Sequence, residues 1–68
     1  EAEANLKLYK LTELNKQIEN ARIFRRSNNY KEVNWALDSA LRINKKYFSD
    51  SLYFKTLAEE VRNSIPKQ

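Results

Sequence analysis

The chain has 68 residues with no cysteine, histidine or glycine, and thirteen Lys+Arg against nine Asp+Glu give it a net charge of +4. Without cysteine or histidine there is no disulfide, no thiolate, and neither the commonest metal ligand nor the commonest general base. The chain is therefore expected not to be an enzyme, with no catalytic residue, metal or cofactor. A chain this short buries only about 60% of the surface its unfolded form exposes, enough for one modest core.

The lack of glycine argues against tight hairpins and phosphate-cradling loops, which need positive φ. The cationic excess, with a pI of about 9.5, suits an acidic peptide, nucleic acid or anionic lipid and selects none of them. No stretch approaches the roughly 20 apolar residues of a membrane-spanning helix, and no basic-then-apolar secretion leader opens the chain.

In chain order, Glu1-Ala2-Glu3-Ala4 resembles the remnant of an incompletely trimmed yeast mating-factor leader. The alternative is a native acidic first turn that favours a helix start. The first alternative leans toward a lumenal or secreted origin; otherwise the compartment is not indicated.

From about residue 5 to 27, Leu11, Leu14, Ile18, Ala21 and Phe24 recur at spacings of three and four and predict a first helix. Leu6, Leu8, Tyr9 and Ile23 widen its apolar stripe. Arg22, Arg25 and Arg26 sit in its last turns, where the helix dipole favours cations.

Ser27-Asn28-Asn29 punctuates the chain. Asn29 followed by Glu32 reads as an N-cap with a capping box for a second helix over about residues 30–45. That helix carries two stripes, Tyr30, Val33, Leu37, Ala40, Leu41 and Asn44 beside Ala36, Ala40, Ile43 and Tyr47. A helix apolar over so wide an arc has two neighbours. The short connection makes the first two helices an antiparallel hairpin over residues 5–48.

Ser49-Asp50-Ser51 is the second punctuation, with Ser49 or Asp50 capping a third helix over residues 49–65. Its stripe is Phe54, Leu57, Ala58, Val61 and Ile65, and Pro66 ends it, leaving a tail of residues 66–68. The expected fold is all-α: a hairpin with a third, capping helix in a right-handed three-helix array.

The stretch from Asn15 to Lys46 resembles a tetratricopeptide repeat. Ala21 and Phe24, the Asn28-Asn29-Tyr30 turn, Leu37, Ala40-Leu41 and the Ile43-Asn44-Lys45 exit stand where that family's pattern expects them. Val33, Asn28, Lys45 and Asn20 depart from it, standing where alanine, glycine, proline and leucine are usual. A second three-helix likeness, to microtubule-interacting-and-trafficking bundles, rests on the short Asn-Tyr turn followed by a helix carrying small residues.

The repeat resemblance implies a protein-binding adaptor or scaffold, co-chaperone-like, whose concave side holds Asn15, Arg22, Arg25 and Arg26 against a protein or an acidic peptide. Arg fits that work because its planar guanidinium makes paired hydrogen bonds to a carboxylate. The plainer alternative is a solvated, dipole-matched helix end.

Trp35 shares a side of the second helix with Ser39 and Arg42, away from the main stripe. It either anchors a partner or, as we expect, folds over Leu8, Tyr9 or the third helix to finish the core. The other function class is structural assembly, a homo-oligomer or a piece of a larger repeat protein, with Tyr53 and Phe54 offered to another copy.

Nucleic acid is disfavoured, because of the four tyrosines only Tyr9 and Tyr53 lie off the packing stripes, too few for a stacking strip. Glu59, Glu60, Asp38 and Asp50 form no carboxylate pair across a cleft and read as solubilising charges.

Overall fold

The computed structural model describes residues 2–66, with side chains from Ala4 onward, and has α1 Ala2–Arg26, α2 Tyr30–Tyr47 and α3 Leu52–Asn63. No strand occurs among the described residues. Glu1 and the Lys67-Gln68 end of the expected tail lie outside them. The all-α hairpin with a third helix is therefore the fold. The first helix starts three residues before the expected boundary, and the third is shorter at both ends.

α1 ends in a Schellman turn: the Asn28 N–H donates to Arg25 O at 3.1 Å and the Asn29 N–H to Phe24 O at 2.8 Å, with Asn28 left-handed at φ 64. Glycine usually fills that position, and asparagine is the side chain that tolerates it next best. The Tyr30 hydroxyl donates to Asn28 Oδ1 at 2.8 Å and closes over the turn.

The capping box does not form. Asn29 stands at the N-cap but its side chain makes no cap bond. In a capping box Glu32 would accept the Asn29 N–H, and the Schellman turn has already engaged that donor. With three residues between the helices, the exit from α1 and the entry to α2 compete for the same backbone groups.

The second turn departs further from expectation. Ser49 and Asp50 cap nothing; both are left-handed, at φ 54 and 56, and the N-cap of α3 is Ser51, again without a side-chain cap bond. Asn44 holds this turn. Its Nδ2 donates to Ser51 O at 3.0 Å and its Oδ1 accepts the Ser51 N–H at 3.0 Å. Its backbone O also accepts from Phe48 at 2.9 Å and from Asp50 at 3.1 Å.

Asn44 is fully buried, so these bonds replace water rather than compete with it. At the far end α3 stops at Asn63, before Pro66, as the Ser64 hydroxyl bonds back to Val61 O at 2.6 Å.

The core has two parts. Near the α1–α2 turn, Ala21, Val33, Ala36, Leu37, Ala58 and Val61 are buried together, with Phe24, Leu41 and Ile65 packed on them. Nearer the other turn, Leu14, Ile18 and Ala40 carry Ile43, Phe48, Phe54 and Leu57. Four buried alanines, Ala21, Ala36, Ala40 and Ala58, line the seams where the helix backbones can approach. Both stripes of α2 pack into these clusters, against α1 and α3 together.

The start of α1 is different. At 1.5 Å per residue α1 is about 37 Å long against about 27 Å for α2. The Lys10 ammonium, 5.4 Å from the Tyr47 ring, marks where α2 ends, so the turns before it project past the bundle. Leu6, Leu8 and Tyr9, expected to widen the apolar stripe, are exposed there, as is Ile23 near the other end of α1.

Two substitutions test this account. Asn44→Ala removes both side-chain bonds and leaves the Ser51 N–H unpaired, and should lower unfolding stability by about 2–3 kcal/mol in urea titration. Ser49→Gly relieves a left-handed serine and should raise it by about 0.5–1 kcal/mol, where Ser49→Ala leaves it nearly unchanged.

Candidate functional site

Arg25 Nε donates to Ser64 O at 3.4 Å, and Leu14 and Ile18 cluster with Phe54 and Leu57. α1 and α3 therefore run in the same direction and leave a seam between them. Toward the carboxyl ends this seam opens into a shallow groove of ≈ 320 Å³ lined by Arg22, Arg25, Arg26, Glu60, Val61 and Ser64. Val61 supplies its floor. The three arginines form one wall and the α3 side chains the other.

The charges in the groove are unbalanced. Arg22 pairs loosely with Glu19 at 3.8 Å, both exposed, and Arg25 is partly engaged at the carboxyl end of α3. Arg26 makes no ion pair with any described residue, and neither does Glu60. Three guanidiniums thus line the groove with one carboxylate, Glu60, while a second, Glu19, pairs with Arg22 at its edge. Because all of them are solvated, the resident contacts are weak and can be exchanged for a better acceptor.

Two other depressions differ from it in charge, and the first of them is also cationic. Between α2 and α3, Arg42, Lys45 and Lys55 face Asp38 and Asp50, with Arg62–Asp38 at 3.0 Å and Lys55–Asp50 at 3.3 Å as ion pairs. Along the back of α1, Lys16 faces Glu13 among Tyr9, Thr12, Gln17 and Asn20. Nearby, the Lys10 pKa is raised above the usual lysine value, chiefly by its hydrogen bond to Glu13.

Of the residues marked from sequence, the structure gathers Arg22, Arg25 and Arg26. Asn15 is exposed two turns before Arg22 on the same face of α1, and Tyr53 two turns before Glu60 on the same edge of α3. They flank the same seam toward its other end. Trp35 does not join them. It is 61% exposed on the outward face of α2, opposite the seam, and covers neither Leu8, Tyr9 nor α3.

The expected core role of Trp35 is thereby corrected. Val33, Ala36, Leu37 and Ala40 already fill the inward arc of α2, and two helices leave no third neighbour to receive the indole. Glu60 and Ser64 were missed as groove residues. Their spacing of four shows that they share a flank of α3, but sequence alone does not say which flank meets α1.

Among the described residues no group of three or more His, Cys, Asp or Glu could hold a metal ion, and no helix is long and apolar enough to cross a membrane. The fold and groove define a small all-α unit, a helical hairpin closed by a third helix. Comparison with protein-family models, curated proteins and solved structures returns no significant match.

The chain has one tryptophan, so its fluorescence reports position 35 alone. The emission maximum should lie near that of an indole in water and respond fully to acrylamide quenching; a blue-shifted, unquenched band would contradict the exposed placement.

Proposed function

We propose that this chain is a non-catalytic protein-binding unit, an adaptor of the tetratricopeptide-like kind, whose α1–α3 groove receives an acidic peptide segment. The observation that carries this reading is the convergence of Arg22, Arg25 and Arg26 on an open groove opposite a single carboxylate. A carboxylate entering there can accept paired guanidinium bonds and displace only long contacts, Arg22–Glu19 at 3.8 Å and Arg25–Ser64 O at 3.4 Å. Asn15 and Tyr53 extend the binding edge with an amide and an aromatic face.

Assembly is the second reading, favoured by Leu52 and Tyr53, which are 73% and 67% exposed at the start of α3. Against it, the outward positions Thr56, Glu59 and Asn63 are polar and exposed. They give a stacking neighbour little apolar surface. Sedimentation over a wide concentration range separates the two readings: a persistent monomer supports the adaptor, a defined dimer supports assembly.

For the groove, titration with an acidic peptide should give one-to-one binding. Arg22→Ala and Arg25→Ala should each weaken it about three- to tenfold and flatten its salt dependence, with helicity by circular dichroism retained. Unchanged affinity in both variants would remove the reading.

A further inference from the structure

The outward face of α2 carries a second surface that the groove does not use. Lys31, Trp35, Arg42 and Lys46 fall within an arc of about 60° at 100° per residue, along about 22 Å of helix. All four are exposed, and none of the three cations pairs with a described carboxylate, the Lys46 ammonium lying 5.4 Å from the Tyr47 ring. Asp38, at the margin of this arc, is bound to Arg62; Lys45 adds a cation on the same margin and Glu32 an exposed carboxylate on the opposite one.

The shape of this face is as informative as its charge. α2 packs its inward arc on both α1 and α3, so its outward face is a ridge. Lys31, Trp35 and Lys46 line none of the depressions described above. A ridge touches a plane along its length but encloses no peptide. It also offers a single indole, where single-stranded nucleic acid is held on a series of stacking aromatics.

From this juxtaposition we propose that the outward face of α2 docks on an anionic phospholipid surface, with Lys31, Arg42 and Lys46 against the phosphates and Trp35 at headgroup level. Charge complementarity drives the approach, each cation adding about fivefold to partitioning near an anionic leaflet. The indole supplies the interfacial anchor, since its amphipathic ring settles where hydrocarbon meets water. The helix stays in its bundle and lies on the bilayer without entering it.

The test uses the full chain with phosphatidylcholine vesicles, alone or with about 30% phosphatidylserine, read by co-sedimentation and Trp35 emission. The proposal expects binding and a blue shift with the anionic vesicles only, both falling as salt rises. Trp35→Ala and Lys31→Glu/Arg42→Glu should lose most of the co-sedimentation. The equal-charge control Lys16→Glu, on the back of α1, should lose severalfold less than Arg42→Glu, and Arg42→Glu should leave acidic-peptide binding in the groove unchanged.

Absence of partitioning overturns the proposal. So does a loss in Lys16→Glu equal to that in Arg42→Glu, which would mean that net charge alone drives adsorption. A shift of Trp35 emission by polyglutamate or oligothymidylate at lower charge concentration than vesicles also overturns it, in favour of a soluble polyanion.

Discussion

The two hydrogen bonds that the Asn44 side chain makes to the backbone of Ser51 fix where the third helix begins, and most of the molecule's shape follows from that position. A primary amide offers a donor and an acceptor side by side, and the backbone of Ser51 presents the complementary pair. Buried at the end of α2, Asn44 turns a flexible serine-rich connection into a fixed corner. An aliphatic residue of the same size would pack but leave the Ser51 groups unpaired.

That corner sets the course of α3. It brings Phe54 and Leu57 onto Leu14 and Ile18, and Ala58 and Val61 into the cluster around Ala21 and Leu37. Ser64 then arrives beside Arg25 and Glu60 beside the arginine wall. The groove is therefore a product of two helices whose relative register is set at the opposite end of α3. Charge on α1 alone would be a solvated helix end, and the third helix converts it into a lined site.

The helices and their inward faces were legible because periodicity reports burial directly: Leu14, Ile18, Ala21, Val33, Leu37, Ala40, Ala58 and Val61 all face the core as their spacing requires. The caps were not. Asn29 and Glu32 satisfy the local rule for a capping box, but the rule does not see that Phe24 accepts the same N–H. Ser49 and Asp50 look like caps and instead take left-handed conformations, a role that composition without glycine argues against. The arginine cluster was legible as a cluster, whereas Glu60 opposite it depends on the rotation of α3, which no spacing encodes. Trp35 misled because size favours burial, while its angular position on α2 pointed outward.

The overhang of α1 divides the molecule into parts that open at different costs. Beyond Lys10, the helix's own bonds are backed by the packing of Leu14, Ile18, Ala21 and Phe24 on the other two helices. Over residues 4–9 the side chains are exposed and the helix bonds stand largely alone, and a few unsupported turns are marginal in water. Hydrogen exchange should therefore step upward along α1 near the Lys10–Tyr47 contact, with the leading turns exchanging through fraying and the rest through global unfolding. The cation resting on Tyr47 marks the point where one uninterrupted helix passes from fraying turns to turns held by the bundle.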